Sequence, residues 1–177
     1  MLIIMGGLPK SGKTSILKGV KHDIVHINPE ALLSKNIDNQ PEDVKQALNI
    51  AAWEQCLTSI GDNLDHNIII FDTCGSSLNP LRTQILKAKM HGHKIVYLYV
   101  DRKFELCANH IDSKILKSYK QKFINTLPQA RDAADYFRVI TNNGEVQEAS
   151  VQAGEVIDEI LSICKSQQTS GAANRTA

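Results

Sequence analysis

At 177 residues the chain has the length of one domain, with enough of it to bury a core. Apolar residues make up 42% and charged residues 22%, the fractions of an ordinary soluble globular protein. A net charge of +1 selects no partner, so a nucleic-acid ligand would need a local basic surface rather than a global one.

Leu2-Ile3-Ile4-Met5 reads as a short buried strand. It runs into Gly7-Leu8-Pro9-Lys10-Ser11-Gly12-Lys13-Thr14, which fits the pattern G-x-x-x-x-G-K-[ST] without a substitution. Ser15-Ile16-Leu17-Lys18 then reads as the first turn of a helix. Strand, loop and helix are the setting in which this pattern binds phosphate. Gly7 and Gly12 let the backbone turn its N–H groups inward, a concave nest for polyphosphate oxygens. The positive end of the helix faces the same spot. Lys13 would set an ammonium between the β- and γ-phosphates, and the Thr14 hydroxyl would ligate magnesium. Gly7 to Ser15 is therefore expected to hold a nucleoside triphosphate.

Ile24-Val25-His26-Ile27 is strand-like and is ended by Asn28-Pro29. From Pro41 to about Leu64 the spacing predicts a long helix, with Val44, Leu48, Ala52, Cys56, Ile60 and Leu64 as its apolar stripe. Asn67 to Phe71 is a continuous apolar run closing on Asp72, the look of a central parallel strand. Asn79 as cap and Pro80 at the first position start another helix, whose inner face reads as Leu81, Ile85, Leu86 and Met90 and which Gly92 ends. Lys94 to Val100 is the fourth strand and Tyr136 to Thr141 the fifth, followed by the turn Asn142-Asn143-Gly144.

A final helix carries Val151, Val156, Ile157, Ile160, Leu161 and Cys164. The small, polar tail 166–177 has nothing to bury and is expected to be disordered, leaving 1–165 as the folded domain. Strands alternate with helices, which predicts an α/β fold with a five-stranded parallel sheet covered on both faces. The four cysteines form no C-x-x-C pair and read as reduced thiols. The opening apolar run is too short for a signal peptide, and no stretch is long enough to span a membrane. A cytoplasmic location is the expectation.

The segments MGGLPKSGKTSIL, INPE after the second strand and DTCGSSLNPLR after the third resemble the polynucleotide kinase branch of P-loop kinases, and more loosely the zeta-toxin-type kinases. The resemblance covers about the first two-thirds of the chain. It implies an adenylate-kinase-like core with a short helical lid, and transfer of phosphate from ATP, with magnesium, to a hydroxyl. It also implies roles. The phosphate lysine falls on Lys13, the magnesium-side hydroxyl on Thr14, the general base on Glu30, the strand-end aspartate on Asp72 and a helix-start arginine on Arg82. Two departures stand out. The family has aspartate where this chain has Glu30, with an arginine a turn later that is missing here. The family's lid arginine pair is replaced by Asn109-His110, leaving Arg102, Lys103, Lys114 and Lys117 as the cations available.

The residues themselves give each site two readings. Asp72 ends a strand beside the phosphate loop, where it could hold a magnesium-bound water, or it could cap a helical turn over Thr73 to Ser77. Glu30 lies where a base must reach the acceptor, or is an exposed acid in a helix's first turn. Arg102 to Lys122 holds Lys103, Lys114, Lys117 and Lys120 as well: a lid over phosphates, a track for a nucleic-acid backbone, or a solvated face. Trp53 reads as partly buried packing.

The leading expectation is a kinase of a nucleic-acid hydroxyl, either a polynucleotide 5′-hydroxyl or a hydroxymethylated pyrimidine in DNA. The alternatives are a small-molecule kinase, acting on a nucleotide, nucleoside or nucleotide sugar, and an ATP-hydrolysing regulatory module.

Overall fold

The computed structural model describes residues 1–33 and 37–173. Five short strands form the centre: β1 (Leu2–Gly7), β2 (Val25–Ile27), β3 (Ile69–Phe71), β4 (Ile95–Asp101) and β5 (Tyr136–Thr141). They make one sheet in the order β2-β3-β1-β4-β5, and every pairing is parallel. The chain leaves β1, builds β2 and β3 on one side of it, then crosses to build β4 and β5 on the other. β1 is thus the point at which the winding reverses, and a crevice opens beyond the carboxyl ends of the strands there.

The helices are α1 (Lys13–Leu17), α2 (Pro29–Leu32), α3 (Glu42–Asp62), α4 (Arg82–Met90), α5 (Phe104–Ala108), α6 (Ser113–Ala133) and α7 (Val146–Ala173). Strand alternation divides the core between the two faces of the sheet. Ile3, Met5, Ile70, Val96 and Leu98 point to one face, under Ile16 of α1 and Ala149, Ala153, Ile157 and Ile160 of α7. Leu2, Ile4, Ile69, Phe71, Ile95 and Tyr97 point to the other, under Cys56 and Ile60 of α3, Leu81, Ile85 and Ala88 around α4, and Ala130 of α6. A third cluster, Leu8 with Cys107, Leu116 and Phe123, ties α5 and α6 to the phosphate loop.

The alternation of strand and helix gives the doubly covered parallel sheet that the sequence predicts, and the departures lie in which helix faces are buried. In α3 the stripe is buried from Ala52 onward, while Val44 and Leu48 are exposed. The helix outruns what it covers: its 21 residues span about 30 Å, whereas β2 and β3 are each three residues long, about 10 Å. In α4, Leu86 and Met90 are exposed, at 63% and 86%. They lie about 100° and 140° around the helix from Ile85, and Ala88 takes the inner position. Val151 of α7 is exposed for the same reason, on the side opposite Ala149 and Ala153.

Asn79 does not cap α4 with its side chain. It opens a 3-10 turn, Asn79–Leu81, that feeds the helix. Gly92, at φ +80°, does end α4: its N–H bonds Lys89 O and the N–H of His93 bonds Ala88 O, a Schellman closure. α6 continues past Pro128 to Ala133. α7 runs to Ala173, so the backbone of 166–173 is helical where the composition predicts disorder, and 174–177 lie outside the described residues. Among the described residues, no helix is long and apolar enough to cross a membrane.

Candidate active site

Three neighbouring strand ends build the site. β1 releases the chain into the phosphate loop, where Gly7, Lys10 and Gly12 have φ of +146°, +64° and +93°. Gly12 has to be glycine on two counts. A Cβ there would sit 2.4 Å from Asn142 Nδ2, and its φ is one that L side chains rarely adopt. The loop is pinned from outside: Asn142, 1% exposed, donates from Nδ2 to Ser11 O at 2.7 Å. The N–H groups of Lys13, Thr14 and Ser15 open α1 before any intrahelical acceptor exists for them, and these residues line the adjoining cavity. α1 has only five residues, so backbone donors and Lys13, more than a helix dipole, supply the positive potential.

Lys13 is 8% exposed. Its Nζ donates to Gly7 O and Leu8 O, both at 3.0 Å, and to Ser11 Oγ at 3.4 Å. Burial pushes its pKa below the ordinary lysine value, opposed by the nearby Cys74, Asp72 and Glu30.

The Asp72 carboxylate, 3% exposed, is the hub. Its Oδ2 accepts from Thr14 Oγ1 at 2.6 Å, from His26 Nε2 at 3.1 Å and from Asn28 Nδ2 at 3.1 Å. The sheet register makes this convergence necessary. β2 lies beside β3 with Ile27 opposite Phe71, so His26 and Asn28 flank the residue that follows β3, and β1 delivers Thr14 from the other side. Thr73 to Leu78 is irregular, so Asp72 caps no helix. Sequence reading missed His26 and Asn28. The signals were a polar residue inside an apolar strand and an Asn-Pro pair whose asparagine also caps α2, by accepting from Glu30 N at 2.8 Å.

Thr14 and Asp72 present hard oxygens side by side next to a phosphate nest. That donor set fits magnesium, which takes one or two protein oxygens and fills its shell with phosphates and water. Among the described residues no cluster of three or more histidine, cysteine or acidic side chains is placed to hold a metal ion.

Glu30 is exposed in the first turn of α2 and faces two adjoining spaces. One, about 440 Å³, is bounded by the phosphate loop, Asp72, Ile111, Ile115 and Tyr119. The other, about 280 Å³, lies beyond it against Trp53, Ser76, Ser77 and Pro80. Glu30, Asp72, Thr73, Cys74 and Tyr119 belong to both, so the two are lobes of one cleft. Burial pushes the pKa values of Cys74 and Tyr119 up. Gly75, at φ +63°, lets this wall lie on the end of β1: Gly7 N bonds Cys74 O at 3.0 Å and Tyr97 OH bonds Gly75 O at 2.6 Å.

The remaining sequence candidates are dispersed. Arg102 stands beside the phosphate loop, its Nη1 3.7 Å from where a Cβ on Gly12 would be, with its Nε buried and unpaired. Lys114 and Lys117 are exposed on α6 and line neither lobe; the residues that α5–α6 turns to the cleft are Ile111, Ile115 and Tyr119. Arg82 is exposed at the start of α4, also outside both lobes.

No protein-family model matches the chain, and no curated protein matches its sequence. Solved structures do match in fold. A protein of Chloroflexus aurantiacus, assigned provisionally as a kinase, aligns with TM-score 0.63 at 11% identity, over 91% of this chain and 95% of that one. Shikimate kinase from Acinetobacter baumannii, in complex with shikimate, aligns with TM-score 0.57 at 16% identity, over 91% and 93%. A structure from the PezAT toxin–antitoxin system of Streptococcus pneumoniae aligns with TM-score 0.55 at 14% identity, over 96% and 86%. The fold is that of the P-loop kinases, and the likeness does not single out a polynucleotide kinase branch.

Proposed function

We propose that the protein transfers the γ-phosphoryl group of ATP to a hydroxyl of a small molecule. The observation that carries this is the Thr14–Asp72 pair at 2.6 Å, set between the phosphate loop and a second lobe that Glu30 faces. Phosphoryl transfer asks mainly for positioning and charge neutralisation, and the cleft offers both. Lys13 exchanges its carbonyl partners for phosphate oxygens. Thr14 and Asp72 would hold magnesium, which would supply charge neutralisation for the phosphates. Glu30 takes the acceptor's proton as the new oxygen–phosphorus bond forms and ADP leaves with the electrons of the old one. Arg102, beside Gly12, stands in for the lid arginine pair of the family that the chain resembles.

A small-molecule acceptor fits better than the nucleic acid that the L-N-P-x-R resemblance implies. Arg82, Lys114 and Lys117 stand outside the cleft, and the likeness in fold includes a kinase solved with shikimate, a small molecule.

The deciding experiment supplies γ-labelled ATP and magnesium with three acceptor classes: small hydroxylated molecules, 5′-hydroxyl oligonucleotides and DNA carrying hydroxymethylpyrimidines. Label is expected in the first class. Label in either nucleic acid replaces this reading with the nucleic-acid one, and ATP loss without any labelled acceptor replaces it with a hydrolysing module.

A further inference from the structure

The acceptor lobe has a charge and surface character that narrow its substrate. Among its described lining residues there is no lysine, arginine or histidine, while two carboxylates, Glu30 and Asp72, face into it. Its walls include two aromatic side chains, both half-buried: Trp53, edge-on to Phe71 at 5.3 Å, and Tyr119. Between them lie small polar groups such as Thr73 and Ser77. Lys13 lines the phosphate lobe and not this one, and is bound to loop carbonyls.

A carboxylate or phosphate on the acceptor would meet the like charge of Glu30 and, among the described lining residues, no counter-charge. An uncharged ring meets what it needs: aromatic faces for its apolar surface and hydroxyls for its polar edge. Resting on the kinase reading above, we propose that the acceptor is a neutral, hydroxyl-bearing ring of single-ring to nucleoside size, lodged between Trp53 and Tyr119, and that the lobe rejects anionic counterparts.

Trp53 is the chain's one tryptophan and stands in the lobe wall, so intrinsic fluorescence reports occupancy directly. With magnesium and a non-hydrolysable ATP analogue bound, matched pairs are titrated: nucleosides against their 5′-monophosphates, and neutral hexoses against the corresponding sugar acids. These arms also separate the two sources of such a ring. In at least one pair the neutral member is expected to change Trp53 emission with an affinity at least tenfold above its anionic counterpart. Ser77→Lys, which adds a cation to the same exposed stretch of wall, is expected to narrow that ratio severalfold by raising the affinity of the anionic member. An anionic member that binds as tightly, a ratio that Ser77→Lys leaves alone, or silence of Trp53 towards every pair overturns the proposal. Label transferred to an anionic acceptor would remove this inference and leave the kinase reading standing; neutral binding without transfer would do the reverse.

Discussion

Lys13 is a charged group held almost out of water by the carbonyls of its own loop. Nothing hydrophobic depends on its side chain, so Lys13→Ala is expected to lose phosphate affinity rather than fold. Phosphoryl transfer should drop by at least about 100-fold, the scale for losing one preorganised donor, with the circular dichroism spectrum unchanged. Asp72 is the opposite kind of residue, because three donors depend on one of its oxygens. Asp72→Asn keeps an oxygen for those donors but loses the charge, so a stability loss of only about 1–2 kcal/mol is expected. Magnesium dependence should move to much higher concentrations; a mutant with unchanged magnesium dependence would remove Asp72 from the metal site.

At the scale of elements, two joints set the geometry. The wall Thr73–Leu78 crosses the end of β1 only because Gly75 has no side chain: a Cβ there would lie 2.5 Å from Met5 O and 2.8 Å from Gly6 Cα. Gly75→Ala should cost about 1–3 kcal/mol in denaturant unfolding and widen the cleft, raising KM for the acceptor. The second joint is the Schellman end of α4, where His93 Nε2 bonds Leu64 O. Burial lowers the His93 pKa below its ordinary 6.5. Between the lowered value and 6.5 the unfolded chain binds more proton than the folded one, so stability rises with pH across that window and is lost on acidification. His93→Gln, which keeps a donor for Leu64, should flatten this part of a melting-temperature profile against pH; an unchanged slope would assign it to other groups.

Over the whole molecule, the sheet is sealed on one face by α7, whose innermost residues end at Ile160 with Leu161 and Cys164 packed against them. A chain ending at residue 165 is therefore expected to melt within about 2 °C of the full chain, the shift from roughly half a kcal/mol in a domain this size, and to bind ATP unchanged.

The phosphate loop, the strands and the Asp72 strand end were legible in the sequence because each is a local pattern: a fixed spacing, an apolar run, a carboxylate at its close. Which face of α3, α4 or α7 is buried was legible only in part: Val44, Leu86, Met90 and Val151 are as apolar as their buried neighbours, but Val44 lies beyond the extent of the sheet and the other three are turned away from it. His26, Asn28, Trp53, Cys74 and Tyr119 reach the cleft from separate elements, and no spacing along the chain relates them. The amino-acid order by itself placed the phosphate-loop pattern, with its inward-turning glycines, at the end of β1. Only strand pairing across a parallel sheet, which sets residues dozens of positions apart within a hydrogen bond of one carboxylate, decided what the nest faces.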